Sequence, residues 1–376
     1  MKKQNTFYVV ILSIVFTFVI GFVLLKLWFD KVHEWDNTYI KVTNIYDKKQ
    51  LCQVEDEYFF AKSNGVYTYG NDEPLIKISE PLICSENNIL YVYSNDIITG
   101  YTIDLKKTEE FKVGNLMAFS VANEKIITFD TDRKLHIYNK NDMSEYSLPK
   151  DSIKLDDETL TYFEIDNMKI FEYEPDMVNQ DTSDGEFIFE NGEKIFEYRT
   201  GYAHSIPYSN EKYAIINPRI NASGSLEKFN YNEFSEEDVS LSEYKSNAID
   251  YIHDNDTIIG ILSKVKTSPH DDYFKEINNL KKHSADMIIF INADSMQIEK
   301  IFETKEKERI LFANKDIAVT FFKGKYITYS LNNLTKISSQ KATEIQKGNS
   351  YYFQTCGDYI FIFDNGGNVI NRISVL

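Results

Sequence analysis

Residues 187–195 read FIFENGEKI and residues 361–369 read FIFDNGGNV. In each, a short alternation of aromatic and aliphatic residues runs into an Asn-Gly step, Asn191-Gly192 or Asn365-Gly366, and a second alternation follows. Asn and Gly tolerate the positive φ angles of a two-residue hairpin turn, so both stretches are expected to be β-hairpins closed at the Asn-Gly step. Units of the same plan occur on either side. Residues 89–93, the turn Ser94, Asn95, Asp96 and residues 98–103 make one, and residues 125–129 and 135–138, joined through 130–133, make the next. Residues 316–321 and 326–329, joined around Gly324, and residues 351–353 and 359–363 make two more. No long stretch after about residue 50 keeps a 3.6-residue period, which leaves an all-β domain.

The polar residue closing the second strand of each unit falls at positions 70, 104, 139, 190, 292, 330 and 364, with a weaker one near Asn232. Spacings from the middle thirties upward, with three or four strands per unit, fit propeller blades, and the longest gaps mark loop insertions near 174–185 and 266–286. The expected architecture is a seven- or eight-bladed β-propeller. Each small sheet has two apolar faces, and wedging it between neighbours removes both from water at about 25 cal/mol per Å². With 26 Tyr and 26 Phe the chain carries the area to do so. Ring closure would set the first and last units side by side and hide their edges.

On this pattern, residues 45–376 resemble the loosely defined group of bacterial β-propellers that includes quinoprotein-like and YVTN-like repeats. The chain departs from the better-marked propellers. No Trp-Asp dipeptide closes a blade, no Gly-Gly recurs beyond Gly366-Gly367, and no Trp follows Trp35. The tryptophan docking of true quinoproteins is therefore missing, and no cofactor is expected.

Ahead of the repeats, residues 7–25 carry no charge, and Leu27, Trp28 and Phe29 extend the run beyond Lys26. At roughly 1.5 Å per residue a helix of that length matches the hydrocarbon core of a bilayer. The only two tryptophans, Trp28 and Trp35, fall at the end of the run, where amphipathic rings settle among headgroups. Lys2 and Lys3 would also suit a signal peptide, but the run is long for one and no small-residue cleavage pattern follows it. The expected plan is a cytoplasmic tail at 1–6, a single transmembrane helix at 7–29 acting as a signal-anchor, a juxtamembrane linker at 30–44 and a propeller at 45–376. Lysines before and after the helix nearly tie. The length of the following domain favours an extracytoplasmic placement on the cell membrane.

Lys and Arg number 41 against 58 Asp and Glu, a net charge of −17, which excludes a nucleic-acid binder that works by neutralising phosphates. Residues 151–250 hold 23 acidic and 8 basic residues, nearly all of that excess. Ser268 followed by Pro269 starts a helix well, and Phe274 or Tyr273 with Ile277 and Leu280 then share a face. Tyr273, Phe274, Ile277 and Leu280 are thus candidate partner-binding residues.

Asn179, Asp181, Ser183 and Glu190 have the outline of a calcium loop, but Gly185 stands one residue late. Asp250, His253, Asp254 and Asp256, and His270, Asp271 and Asp272, are acidic knots of the kind strand-end turns use. No hydrolase, zinc-protease, P-loop or dinucleotide motif occurs. No catalytic or metal-ligating residues are assigned. Three cysteines, Cys52, Cys84 and Cys356, allow one intramolecular bridge, and ring closure would make Cys52 and Cys356 the pair. The reading is a membrane-anchored binding or scaffold module for a protein or envelope component. The alternative is an envelope hydrolase or lyase with carboxylates at the propeller channel.

Overall fold

The apolar runs become strands because each sheet is wedged between two others, so that successive residues, not alternate ones, are covered. Gly185–Glu190 is buried at all six positions and Tyr359–Phe363 at four of five. Burial decays outward from there. The rim strand Thr335–Lys341 is exposed at all seven positions and, with lysines at two of them, is protected from edge-to-edge pairing.

A computed structural model describes residues 19–27, 35, 39–42, 51–149, 152–155, 160–173, 184–200, 205–217, 225–232, 235–240, 246–254, 256–265 and 283–375. These form eight sheets arranged as an eight-bladed β-propeller. In chain order, blade 1 runs from Leu51 to Lys77, blade 2 from Leu82 to Lys112, blade 3 from Leu116 to Asn139 and blade 4 from Ile153 to Arg199. Blade 5 runs from Ser205 to Ser240, blade 6 from Ser246 to Glu303, blade 7 from Arg309 to Lys341 and blade 8 from Ser350 to Ser374. The unit near Asn232, weakest in the sequence, is blade 5. Eight apolar clusters fill the spaces between neighbouring blades. The last joins Tyr58 of blade 1 to Phe361 and Phe363 of blade 8, so the ring is closed.

Closure does not use an outer N-terminal strand. Tyr39–Val42, inside the stretch expected to be linker, pairs in parallel with Ser350–Cys356, the innermost strand of blade 8, and lies on its channel side next to Arg309–Ala313 of blade 7. The seam itself is aromatic. The Arg372 guanidinium lies 5.4, 4.8 and 4.3 Å from the ring centres of Tyr58, Tyr69 and Tyr359, and Lys62 Nζ donates to Asn368 Oδ1 at 2.8 Å.

Blade 4 reverses the usual course of the chain. Its last strand, Glu193–Arg199, abuts Leu116–Ala122 of blade 3 and Ser205–Ser209 of blade 5, both innermost, so blade 4 is built from rim to axis. The cause lies in blade 3. After its third strand the chain turns back at the rim, with Tyr138 bridging Glu145, and enters blade 4 from outside. Ion pairs fix the inverted register: Lys125 to Glu190 at 2.7 Å and Arg133 to Asp184 at 3.3 Å.

The two nonapeptides that resemble each other therefore sit differently. FIFENGEKI carries the chain toward the axis and FIFDNGGNV carries it toward the rim. The first turn is as expected, with Asn191 at φ 52° and Gly192 at φ 84°. The second is not closed at Asn365-Gly366. Asp364 and Asn368 flank a longer turn in which Gly367 takes the positive φ of 75°, and the Asp364 carboxylate accepts the Asn368 N–H at 2.8 Å. The extra glycine gives the chain a better left-handed residue one step later.

Cys52 and Cys356, the pair ring closure would allow to bridge, are not joined, and all three cysteines are free thiols. Cys52 packs in the cluster between blades 1 and 2, whereas Cys356 packs in that between blades 8 and 1. Of the span expected at 7–29, residues 7–18, 28 and 29 lie outside the described residues. Residues 19–27 are helical, and among the described residues no helix is long and apolar enough to cross a membrane.

Candidate functional site

Seven blades begin their innermost strand on one face of the ring, here called the loop face. It carries the turns between second and third strands and the links from rim to axis of the next blade. Backbone staples tie the links to those turns: Val113 N–H to the Asp96 carbonyl at 2.9 Å and Ala342 N–H to the Gly324 carbonyl at 2.9 Å. Both expected insertions leave from this face. Residues 174–183 follow Tyr173, which pairs with Gly185, and residues 266–282 follow Val265, which pairs with His283. The insertions themselves, with Tyr273, Phe274, Ile277 and Leu280, lie outside the described residues.

Between blades 3 and 4 the loop face opens into a cavity of about 570 Å³ lined by Arg133, Lys134, His136, Glu145, Tyr146 and Glu172, with Leu135 and Leu148 also on its wall. Its cause is the same rim turn that inverts blade 4. The Asn139 N–H donates to the Ser144 carbonyl at 2.9 Å and the Tyr146 N–H to the Ile137 carbonyl at 2.8 Å. Strand pairing at that edge goes no further, and the space beyond is the groove.

His136, second residue of the third strand Leu135–Asn139, is held at both ends of its ring. Nδ1 lies 2.7 Å from Glu145 and Nε2 lies 3.1 Å from Asp130. Burial works against its charge, but the two carboxylates outweigh it and raise its pKa above the ordinary value. Asp130 is likewise resisted by burial and lowered by the N–H groups of Lys134 and Asp132 and by His136. With a carboxylate at each ring nitrogen, the protonated form of His136 is favoured. Arg133, left-handed at φ 60°, reaches across to Asp184, whose pKa is raised by burial against the pull of that guanidinium. The groove thus presents cations at its loop-face end and carboxylates along its wall, which suits a polar or charged segment of a macromolecule.

Sequence reasoning missed this groove because none of its residues stands in a motif. The one available signal was the gap of 51 residues between strand ends 139 and 190, which marks the inverted blade.

Other expected residues are dispersed. Glu190 pairs with Lys125 rather than serving a calcium loop. The Tyr208 ring lies edge-on to His253 at 4.8 Å, and the Asp256 carbonyl accepts the Ala293 N–H at 2.8 Å, as a strand-end turn does. Asn179, Asp181, Ser183, His270, Asp271 and Asp272, and Trp28, lie outside the described residues. Among the described residues no group of three or more His, Cys, Asp and Glu is arranged to hold a metal ion.

Trp35, expected at the membrane interface, is half-buried on the loop face of blade 7. Its ring meets Phe321 edge-on at 5.9 Å, Lys347 Nζ lies 5.5 Å from its centre, and Gly324, at φ 73°, leaves no room for a Cβ beneath it.

These features define an eight-bladed β-propeller with a polar groove on its loop face. No protein-family profile matches the chain, and no curated protein matches it in sequence. Among solved structures it is similar to the computationally designed Ika8 protein, at 10% identity and a TM-score of 0.48 over 90% of this chain and 99% of that one. It is also similar to BamB from Moraxella catarrhalis, at 10% identity and a TM-score of 0.45 over 87% of this chain and 97% of that one. A third similar structure is KlHsv2 with loop 6CD replaced by a Gly-Ser linker, at 11% identity and a TM-score of 0.42 over 77% of this chain and 95% of that one.

Proposed function

We propose that the chain is an extracytoplasmic β-propeller, tethered to the cell membrane by its N-terminal apolar segment, that binds a protein or envelope component through the loop face. The observation that carries the binding role is the groove between blades 3 and 4, built by a departure from the regular blade plan and opening among the links and insertion ends of one face. The tether is supported by residues 19–27. Seven of the nine are large and apolar, from Val23 at 48% exposed to Phe22 at 70%, with Ile20 at 43%. On the propeller, by contrast, exposed large apolar side chains are scattered, as at Leu75, Ile97, Ile301, Leu334, Ile337 and Ile370, and no run of them approaches this density. Apolar surface of that density needs a non-aqueous neighbour, and an uncharged run from residue 7 onward is matched to lipid.

The test is site-specific photocrosslinking in cells expressing the full chain, with the photoreactive residue placed at Lys134 in the groove or at Lys315 on the opposite face. Discrete adducts from Lys134 and none from Lys315 are expected. Equal adducts from both, or adducts from Lys315 alone, would overturn the assignment of the loop face.

A further inference from the structure

Among the described residues, the chain leaving the apolar helix first meets the propeller at Trp35. Trp35 docks against Phe321 and Gly324 on the loop face of blade 7, and Tyr39–Val42 then enters the channel beside blade 8. Leu27, the last described residue of the apolar helix, is eight residues earlier, so the two are at most ~29 Å apart along an extended chain. From Phe321 to the rim two further strands must be crossed, ~10 Å, and the seven-residue strand Ser350–Cys356 gives the ring a thickness of ~23 Å. A route from Trp35 over the rim to the opposite face is then ~33 Å or more and exceeds the leash.

The charge on this side of the ring points the same way. Residues 304–349, blade 7 and its two links, hold nine Lys or Arg against Glu306, Glu308, Asp316 and Glu344, in a chain whose net charge is −17. Lys323, Lys325, Lys341 and Lys347 are exposed at its loop-face end, around Trp35. Lys325 and Lys341 are direct cross-strand neighbours, a like-charge pairing that a sheet edge does not choose for stability. Blades 4 and 5, within the strongly acidic stretch, stand three and two places from blade 7 round the ring.

We infer that the loop face is turned toward the bilayer and that the lysines around Trp35 rest on anionic phospholipid headgroups. This rests on the tether proposed above and adds its consequence: the ligand of the groove is presented at the membrane surface. Basic side chains near an anionic leaflet each add to such an association.

The experiment uses the full chain in vesicles of phosphatidylcholine alone or with phosphatidylglycerol, and a fluorophore at Lys323→Cys or at Asp316→Cys on the opposite face. Flotation is measured first, then quenching by a headgroup spin label, with unsubstituted chain as the labelling blank. Quenching roughly twofold or more stronger from Lys323→Cys than from Asp316→Cys is expected, rising with phosphatidylglycerol. Combining Lys325→Glu and Lys347→Glu should remove the dependence on lipid charge while flotation persists. Flotation with equal quenching at the two sites would overturn the orientation alone. Failure to float would overturn the tether, and the orientation with it.

Discussion

Replacing Phe361 by alanine strikes the seam where blade 8 meets blade 1. The ring is fully buried and lies 5.0 Å from Tyr58, 6.1 Å from Tyr69 and 6.4 Å from Tyr359, centre to centre. Deleting a buried phenylalanine costs ~3–5 kcal/mol through lost transfer energy and the cavity left behind, and that range already contains the aromatic contacts. For a propeller of about 340 residues, an unfolding entropy of ~2.1 cal/mol/K per residue gives ~0.7 kcal/mol per kelvin, so Tm should fall by ~4–7 °C. The assay is differential scanning calorimetry, with Ile337→Ala at the rim, 59% exposed, as a control expected to move Tm by about 1 °C or less. A fall below ~2 °C for Phe361→Ala would mean that the blade 8 to blade 1 contact does not hold the ring, and the closure argument would fail.

Three further outcomes are expected. His136 has a raised pKa in the folded chain, so its contribution is complete below the ordinary histidine value near 6.5 and is lost as pH rises through the folded value. The Tm gap between the native chain and His136→Gln, measured by thermal scanning, should be wide at pH 5.5 and narrow at pH 9, and a gap that widens with pH would contradict the paired imidazolium. Burial pushes Cys52 up to about 12 and Cys356 up to about 11, and raises Cys84 well above its ordinary value, so maleimide at pH 7.5 should label the folded chain slowly and the urea-unfolded chain fast. Rapid labelling of the native protein would refute those environments. In urea titrations Gly367→Ala, at a φ of 75°, should cost about 1 kcal/mol and Gly366→Ala less, since its Cβ asks only that the Asp364 and Asn368 side chains give way; the reverse order would restore the Asn365-Gly366 turn.

The strands were legible because hydrophobic runs bounded by Asn, Asp and Gly leave the chain few alternatives. Residues 89–93, 125–129 and 359–363 all become strands with ends shifted by at most a residue. The Asn191-Gly192 turn was readable for the same reason. What misled the reading at Asn365-Gly366 was a third candidate, Gly367, since local propensity does not say which of two glycines takes the positive φ. The inversion of blade 4 could not be read at all. Strand content and hairpin turns are the same whether a blade is built outward or inward, and the difference is fixed by distant contacts such as Lys125 with Glu190. The groove follows from that inversion, so it was equally hidden. Tyr39–Val42 was missed because four residues beside an apolar helix look like linker until the inner edge of blade 8 offers them a partner.

The tether and its sidedness are tested most directly with a C-terminal tag on the full chain, carbonate extraction of membranes, and protease added to intact and then permeabilised cells. Retention of the tag in the membrane pellet after carbonate, with its loss in intact cells, is the result expected of an anchored propeller held outside. Release into the supernatant, or protection of the tag until the cells are permeabilised, would contradict the account.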